Sequence, residues 1–251
     1  MIRITDIHKS YSTHEVLRGV SLDIPTGTLQ VLLGANGAGK STLIHIVSGL
    51  MRSNAGGFFI DGEPITFRSY RYRAKVGYVF EAPMYVEKFT AREQLMFTGR
   101  MYGIKKDPLK TRVAGLLDFF ELPDDGRYIE SYSKGMRSKV SLAMALIHSP
   151  KYLILDEPFD GVDFVSVQQI GKLLKRMASD GVTIFITSHQ YDVIAELGDR
   201  FALMQDGVIR FNRTMEELHE MAADFSHAPN PVKPYLESLM SHGEKKDLQW
   251  V

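Results

Sequence analysis

The chain has 251 residues, of which 44% are hydrophobic, enough to bury the core of one large domain. Its 30 Lys and Arg residues balance 30 Asp and Glu residues, so we expect no nucleic-acid partner. No apolar run reaches the roughly 18 residues of a membrane span, and the N-terminus lacks the apolar core of a secretory signal. The absence of cysteine excludes disulfides and thiol catalysis. These features predict a cytosolic protein.

The first third of the chain has the pattern of strands joined by turns. Apolar or alternating segments occur at residues 2–4, 16–24, 29–33 and 58–60, with Pro, Gly and Asp turn residues between them. Alternation at these intervals predicts an antiparallel β layer.

A glycine-rich loop follows the apolar run 29–33 and precedes the helix-like run 42–47. Its glycines let backbone N–H groups surround phosphate oxygens at the positive end of the following helix. Lys40 supplies a charge for the outer phosphates, and Ser41 supplies a hydroxyl ligand for Mg²⁺. The predicted nucleotide contacts are Gly34, Asn36, Gly37, Ala38, Gly39, Lys40, Ser41 and Thr42.

Helical periodicity replaces the strand pattern over residues 82–131 and is clearest at 91–102 and 109–120. We therefore expect a helical subdomain at about residues 82–150, inserted into the nucleotide-binding core.

Strands and helices alternate in the last third of the chain. Residues 152–155 and 182–187 are short apolar runs separated by a helical face, which predicts a parallel sheet with crossover helices. Asp206 and Gly207 separate two further strand-like runs, as a hairpin turn would.

Two adjacent carboxylates end the apolar run 152–155. Asp156 suits Mg²⁺, directly or through water, and Glu157 can polarise a water molecule aimed at the terminal phosphate. A phosphate loop alone is compatible with kinases, GTPases and many ATPases. The apolar strand that ends in two carboxylates reduces the number of candidate protein families.

The predicted fold class is α/β, with a P-loop NTPase core, an antiparallel β layer and the inserted helical subdomain. We expect the nucleotide-binding domain to cover residues 1–217. The segment 218–251 contains several prolines and is expected to be partly a linker.

With these motifs together, the chain resembles the ATP-binding subunits of ABC transporters over residues 2–217. The segment 132–136, Tyr-Ser-Lys-Gly-Met, is similar to the family's signature motif Leu-Ser-Gly-Gly-Gln. Ser133 and Gly135 match that motif, whereas the other three positions depart from it. The resemblance implies that the segment begins a helix whose positive end meets the terminal phosphate bound by the opposite subunit.

The resemblance assigns roles to three further residues. It places Tyr11 against the adenine ring, although a tyrosine in a β layer also serves for packing. Asp163, in the loop after the acidic strand, is expected to reach across a dimer interface. His189 resembles the switch histidine that contacts the terminal phosphate, and it joins Glu157 and Lys40 as a catalytic residue.

Glu81 departs from the family pattern, which has a glutamine after the strand predicted at residues 75–80. That glutamine touches Mg²⁺ and connects the core to the helical subdomain. A carboxylate binds hard cations better than an amide does, so we expect Glu81 to join Ser41 and Asp156 around Mg²⁺.

The resemblance implies a homodimer that closes head to tail around two ATP molecules, each between Lys40 of one subunit and Ser133 of the other. Hydrolysis would drive transport through a separate integral membrane permease. The stretch that begins at residues 83–93 and ends at residues 101–104 looks most like the corresponding stretch of exporters whose permease is a separate chain. The subunit is then expected to be peripheral on the inner face of the cell membrane.

Two alternatives belong to other classes. The first is a soluble ABC-type ATPase that acts on ribosomes, DNA or cluster assembly without transport. The second is a regulatory module that binds nucleotide without hydrolysing it, favoured only by Glu81 and the altered signature segment.

Overall fold

The structure is a computed structural model that describes residues 1–66, 70–82, 84–188, 195–223, 225 and 231–241. Within these ranges the strands are β1 Ile2–Tyr11, β2 His14–Ile24, β3 Leu29–Leu33, β4 Ala55–Ile60, β5 Glu63–Ile65, β6 Val76–Val79, β7 Tyr152–Asp156, β8 Thr183–Thr187, β9 Arg200–Gln205 and β10 Val208–Thr214. The helices with defined bounds are α1 Lys40–Val47, α2 Tyr70–Arg73, α3 Ala91–Met101, α4 Lys106–Phe119, α5 Lys134–Leu146, α6 Phe164–Ser179, α7 Met215–Ala222 and α8 Val232–Ser241. A 3₁₀ turn lies at Ile129–Ser131.

The strands form two sheets. A four-stranded antiparallel sheet has the order β2-β1-β4-β5, which confirms the predicted antiparallel layer. A six-stranded sheet has the order β10-β9-β3-β8-β7-β6, in which neighbouring strands from β9 to β6 run parallel. β10 returns antiparallel to β9 through Asp206 and Gly207, whose φ angles of 50° and 75° suit the predicted two-residue turn.

The core lies on both faces of the six-stranded sheet. Along β3, Leu29, Val31 and Leu33 belong to one buried cluster and Leu32 to the other, because successive strand residues point to opposite faces. The first cluster packs under α3 to α8, and the second packs under the antiparallel sheet and α1. Burial on both faces explains why β3, β7 and β8 are almost continuously apolar.

The predicted helical subdomain contains α3, α4 and α5. Thr90 and Glu93 form a capping box that starts α3 at Ala91. α4 begins at Lys106, ahead of the predicted start at residue 109. Of the helices within the described ranges, none has both the length and the apolar character needed to cross a membrane.

The C-terminal segment packs on the core where the structure describes it. α7 crosses residue 217, the predicted domain boundary, and its Leu218 and Ala222 are buried. Val232 and Leu236 of α8 are buried in the same cluster. The division of the chain at residue 217 and a linker within 218–251 stay predictions, while these two helices contribute buried residues to the core.

Candidate nucleotide-hydrolysis site

The phosphate-binding loop connects the end of β3 to the start of α1. Gly37 and Gly39 have φ angles of 81° and 104°, a region that glycine adopts with little strain. A Cβ atom at Gly39 would lie 2.7 Å from the Leu17 side chain, and one at Gly34 would lie 2.4 Å from the Met204 carbonyl oxygen. The glycines therefore let the loop pass close to β2 and β9.

The other loop positions follow the predicted order. Asn36 is exposed and Ala38 is buried, while Ser41 and Thr42 are half-buried in the first turn of α1. The residue before α1 is Gly39, so no side chain caps this helix end. No capping side chain therefore competes with an anion for the first-turn N–H groups, as an anion site at a helix N-terminus requires.

Lys40 is the first residue of α1 and folds back over the loop that precedes it. Its Nζ donates hydrogen bonds to the carbonyl oxygens of Gly34, at 2.8 Å, and Ala35, at 3.1 Å. Burial lowers the pKa of Lys40 below its usual range, while the charges of Glu157, Asp156 and Glu81 oppose that shift. The structure therefore brings the predicted lysine within electrostatic reach of all three predicted acids.

Asp156 ends β7 and lies opposite Thr187, the last residue of β8. The Thr187 hydroxyl donates to Asp156 Oδ1 at 2.5 Å and accepts from the Glu157 N–H at 3.2 Å. Asp156 is 1% exposed, and among the described residues its Oδ2 atom has no hydrogen-bond partner. A buried carboxylate oxygen with no protein donor fits a site for Mg²⁺ or its water ligands.

Glu157 occupies a left-handed backbone conformation, with a φ of 47°. Its side chain lines a cavity of about 240 Å³ that Glu81 also lines. Glu81 follows β6 by two positions and is exposed. Among the described residues, no group of three or more His, Cys, Asp or Glu side chains could hold a metal ion alone. Mg²⁺ would therefore need ligands of other kinds, such as Ser41 and phosphate oxygens.

The two predicted signature residues lie at the start of α5. Ser133 caps the helix, because its Oγ accepts a hydrogen bond from the Met136 N–H at 3.2 Å. This cap starts α5 at Lys134, within the segment 132–136 that was expected to begin a helix. Gly135 lies against the loop after β7, where a Cβ atom would be 2.2 Å from the Gly161 carbonyl oxygen.

Asp163 caps α6 within its own chain. It accepts hydrogen bonds from the Ser166 N–H at 2.9 Å and hydroxyl at 2.7 Å, and Lys139 Nζ lies 3.5 Å away. These donors, Ser166 first, lower the pKa of Asp163 to about 2. Its carboxylate is therefore ionised and already partnered, and its predicted contact across a dimer stays a prediction.

Tyr11 lies at the end of β1 and His189 lies outside the described residues. The Tyr11 ring is 45% exposed, its hydroxyl donates to Met51 Sδ at 3.0 Å, and Lys9 Nζ lies 5.4 Å from the ring centroid. An exposed aromatic face is compatible with adenine stacking.

Thr187, Asp160 and Lys139 contact the predicted site residues or the loop that carries them, and the sequence analysis did not single them out. Thr187 joins both acids, Asp160 forms an ion pair with Lys134, and Lys139 contacts Asp163. The position of Thr187 at the end of an apolar parallel strand is the signal that could have identified it, because such strand ends form the site edge.

Fold and site together define a P-loop ATPase, with its phosphate loop after β3 and its acids after β7. Residues 17–160 match the family model described as ABC transporter. The chain belongs to this family, and it is an ATP-binding and ATP-hydrolysing subunit.

Similar proteins cover most of the chain. Linearmycin resistance ATP-binding protein LnrL of Bacillus subtilis (strain 168) is 34% identical over 208 residues, which cover 82% of this chain and 67% of that protein. Lantibiotic transport ATP-binding protein SrtF of Streptococcus pyogenes is 32% identical over 212 residues, which cover 83% of this chain and 89% of that protein. A solved structure of an ATP binding subunit of an ABC transporter aligns with a TM-score of 0.84 and 26% identity, covering 94% of this chain and 99% of that one.

The Thr187 hydroxyl provides a direct test of the site geometry. Thr187→Val removes the donor to Asp156 and the acceptor for the Glu157 N–H, so we expect ATP hydrolysis to fall at least about tenfold. Thr183→Val is the control, since Thr183 is equally buried at the other end of β8 and its hydroxyl accepts a hydrogen bond from the Gly27 N–H. Steady-state ATPase rates and thermal unfolding of both variants are measured. A wild-type rate for Thr187→Val would contradict the geometry.

Proposed function

We propose that the protein hydrolyses Mg²⁺-ATP as a dimer of two copies and drives export through a separate membrane permease. The observation that carries this proposal is the convergence of Lys40, Asp156 and Glu157 at one edge of the parallel sheet. The charge of Lys40 offsets the outer phosphates, and Glu157 accepts a proton from the attacking water. In this proposal His189 contacts the terminal phosphate and Tyr11 contacts the adenine ring, as predicted from the sequence.

The residues around Asp156 support a magnesium site. Asp156 Oδ2, the Ser41 hydroxyl and the Glu81 carboxylate are the oxygens that would hold the ion. Bound there, Mg²⁺ would neutralise charge on the outer phosphates. The Thr187 hydroxyl holds the other Asp156 oxygen at 2.5 Å and so fixes the direction in which Oδ2 points.

Exposed residues near α5 and α6 support pairing with a second copy. Ser133 is exposed at the positive end of α5, where the resemblance places the nucleotide of the opposite subunit. Phe164 and Val165 follow Asp163 and are each 66% exposed. Large apolar side chains beside a polar site are typical of a protein interface.

A groove on the helical subdomain supports permease binding. It has a volume of about 180 Å³ and lies between the end of β6, α3 and α5, with Met84 and Tyr102 among its lining residues. Met84 is 71% exposed. An apolar groove of this kind suits an inserted segment of the permease, which would hold the subunit at the inner face of the membrane. The relatives named for linearmycin resistance and lantibiotic transport are compatible with export.

Glu157→Gln tests the role of the base. The amide keeps the shape and cannot accept the proton, so we expect ATP to bind, hydrolysis to fall at least about 100-fold, and an ATP-dependent dimer to accumulate. Size exclusion with light scattering and a nucleotide assay measure both effects. Adding Lys40→Ala should abolish ATP binding and return the protein to a monomer. A nucleotide-bound Glu157→Gln monomer at saturating ATP would contradict the shared site.

Glu81 makes the magnesium proposal testable. If its carboxylate is a ligand, Glu81→Gln should raise the Mg²⁺ concentration for half-maximal ATPase activity severalfold, and Glu81→Ala should raise it further because alanine offers no oxygen. The measurement is ATPase activity of the three proteins across a Mg²⁺ titration. Superimposable curves would show that Glu81 does not contact the ion.

Met84 tests the permease groove. We expect the protein to fractionate with membranes only when its permease is co-expressed, and Met84→Glu to reduce that fraction severalfold because it places a charge in the groove. Met221→Glu on α7 is the control, since Met221 is also exposed but lies outside the groove. Equal membrane recovery without an integral partner would refute the docking proposal.

A further inference from the structure

The loop after β7, residues 157–163, contacts the first turns of α5 through an ion pair, a hydrogen bond and close backbone packing. Lys134 Nζ lies 2.5 Å from Asp160 Oδ2, and the Ser138 hydroxyl donates to the Asp160 carbonyl oxygen at 2.8 Å. Gly135 approaches Gly161 too closely for any side chain. We call these five residues the α5 clamp. Two of its contacts converge on Asp160, which makes that residue the main attachment point of the loop.

Asp160 is also bonded to the catalytic end of the loop. Its N–H donates to the Glu157 carbonyl oxygen at 3.2 Å and closes a turn over residues 157–160. Glu157 needs this support, because a non-glycine residue at a φ of 47° is strained unless its surroundings hold it. On its other side, the Glu157 N–H is held by Thr187. The backbone of Glu157 is thus fixed between β8 and the α5 clamp.

The position of Lys134 is electrostatically unusual. A cation at the first residue of a helix faces the positive end of the helix dipole, and the first turn of α5 contains no acidic residue to offset it. Asp160 supplies that negative charge from the loop. The two side chains are 70% and 37% exposed, so the pair contributes little to global stability. Its removal therefore leaves the fold intact and allows a kinetic test.

We infer that Lys134 is a positioning residue for Glu157 and acts through Asp160. The ion pair holds the loop so that the Glu157 carboxylate stays aimed at the attacking water. This inference rests on the proposed role of Glu157 as the base. It assigns a use to a signature position at which the chain departs from its family.

The test compares Lys134→Ala, Asp160→Asn and the double variant in steady-state ATPase assays. We expect kcat to fall about three- to fivefold in each single variant, with KM for ATP unchanged. The double variant should be no worse than either single variant, since both remove one interaction. The exchanged pair, Lys134→Asp with Asp160→Lys, should recover most of the lost activity. Thermal unfolding should be unchanged in all four proteins.

Lys88 and Glu130 provide a matched control pair. Their side-chain atoms lie 2.6 Å apart and the side chains are 71% and 39% exposed, close to the values for Lys134 and Asp160. Lys88→Ala and Glu130→Gln should therefore leave kcat unchanged. The comparison separates the position of the pair from a general effect of removing a surface ion pair.

Other results would overturn the inference. If Lys134 contacts phosphate directly, Lys134→Ala raises KM, Asp160→Asn does not impair the enzyme, and the exchanged pair remains inactive. Wild-type kinetics in both single variants would also refute it. Normal ATP hydrolysis by the Glu157→Gln protein would instead contradict the proposed role of Glu157, on which the inference depends. The two failures are therefore distinguishable.

Discussion

The parallel pairing of β3, β8 and β7 is the constraint on which the site depends. Leu32 lies opposite Thr187, and Thr187 lies opposite Asp156, so the three strands end at one edge of the sheet. The phosphate loop leaves this edge from β3 and the acidic residues leave it from β7. Because side chains alternate between faces, a one-residue shift of β7 would remove Asp156 from Thr187 and turn it toward the opposite cluster.

The site concentrates features that would be unfavourable elsewhere in the fold. Lys40 and Asp156 are both buried, although burying a charged group is costly unless it is paired and hydrogen-bonded. One Asp156 oxygen has no partner among the described residues, and Glu157 has a strained backbone. The apolar strands on which these residues are mounted supply the stability that holds them in place. Buried charges and backbone strain that cluster at one sheet edge are typical of a functional site.

The sequence predicts those parts of the site whose chemistry is local. The glycines, Lys40 and the two acids lie in short segments whose flanking strands are apolar, so their positions at strand ends follow from pattern alone. Thr187 and Lys139 were not singled out, because their partners Asp156 and Asp163 are distant in the chain. Only the sheet order and the contact of α5 with the loop after β7 bring these residues together. The packing of α8 on the core was missed for another reason. Prolines in and before this segment obscure its helical pattern.

The two charged departures from the family pattern, Glu81 and Lys134, line the same cavity as Glu157. Where the family has a neutral glutamine and a glycine, this chain adds one negative and one positive charge. These two changes cancel in net charge. Glu81 places its negative charge on the side of the proposed magnesium site, while Lys134 is held by Asp160 on the α5 side. In the proposed mechanism the two side chains redistribute charge around Glu157, so the field at the attacking water would depend on both together.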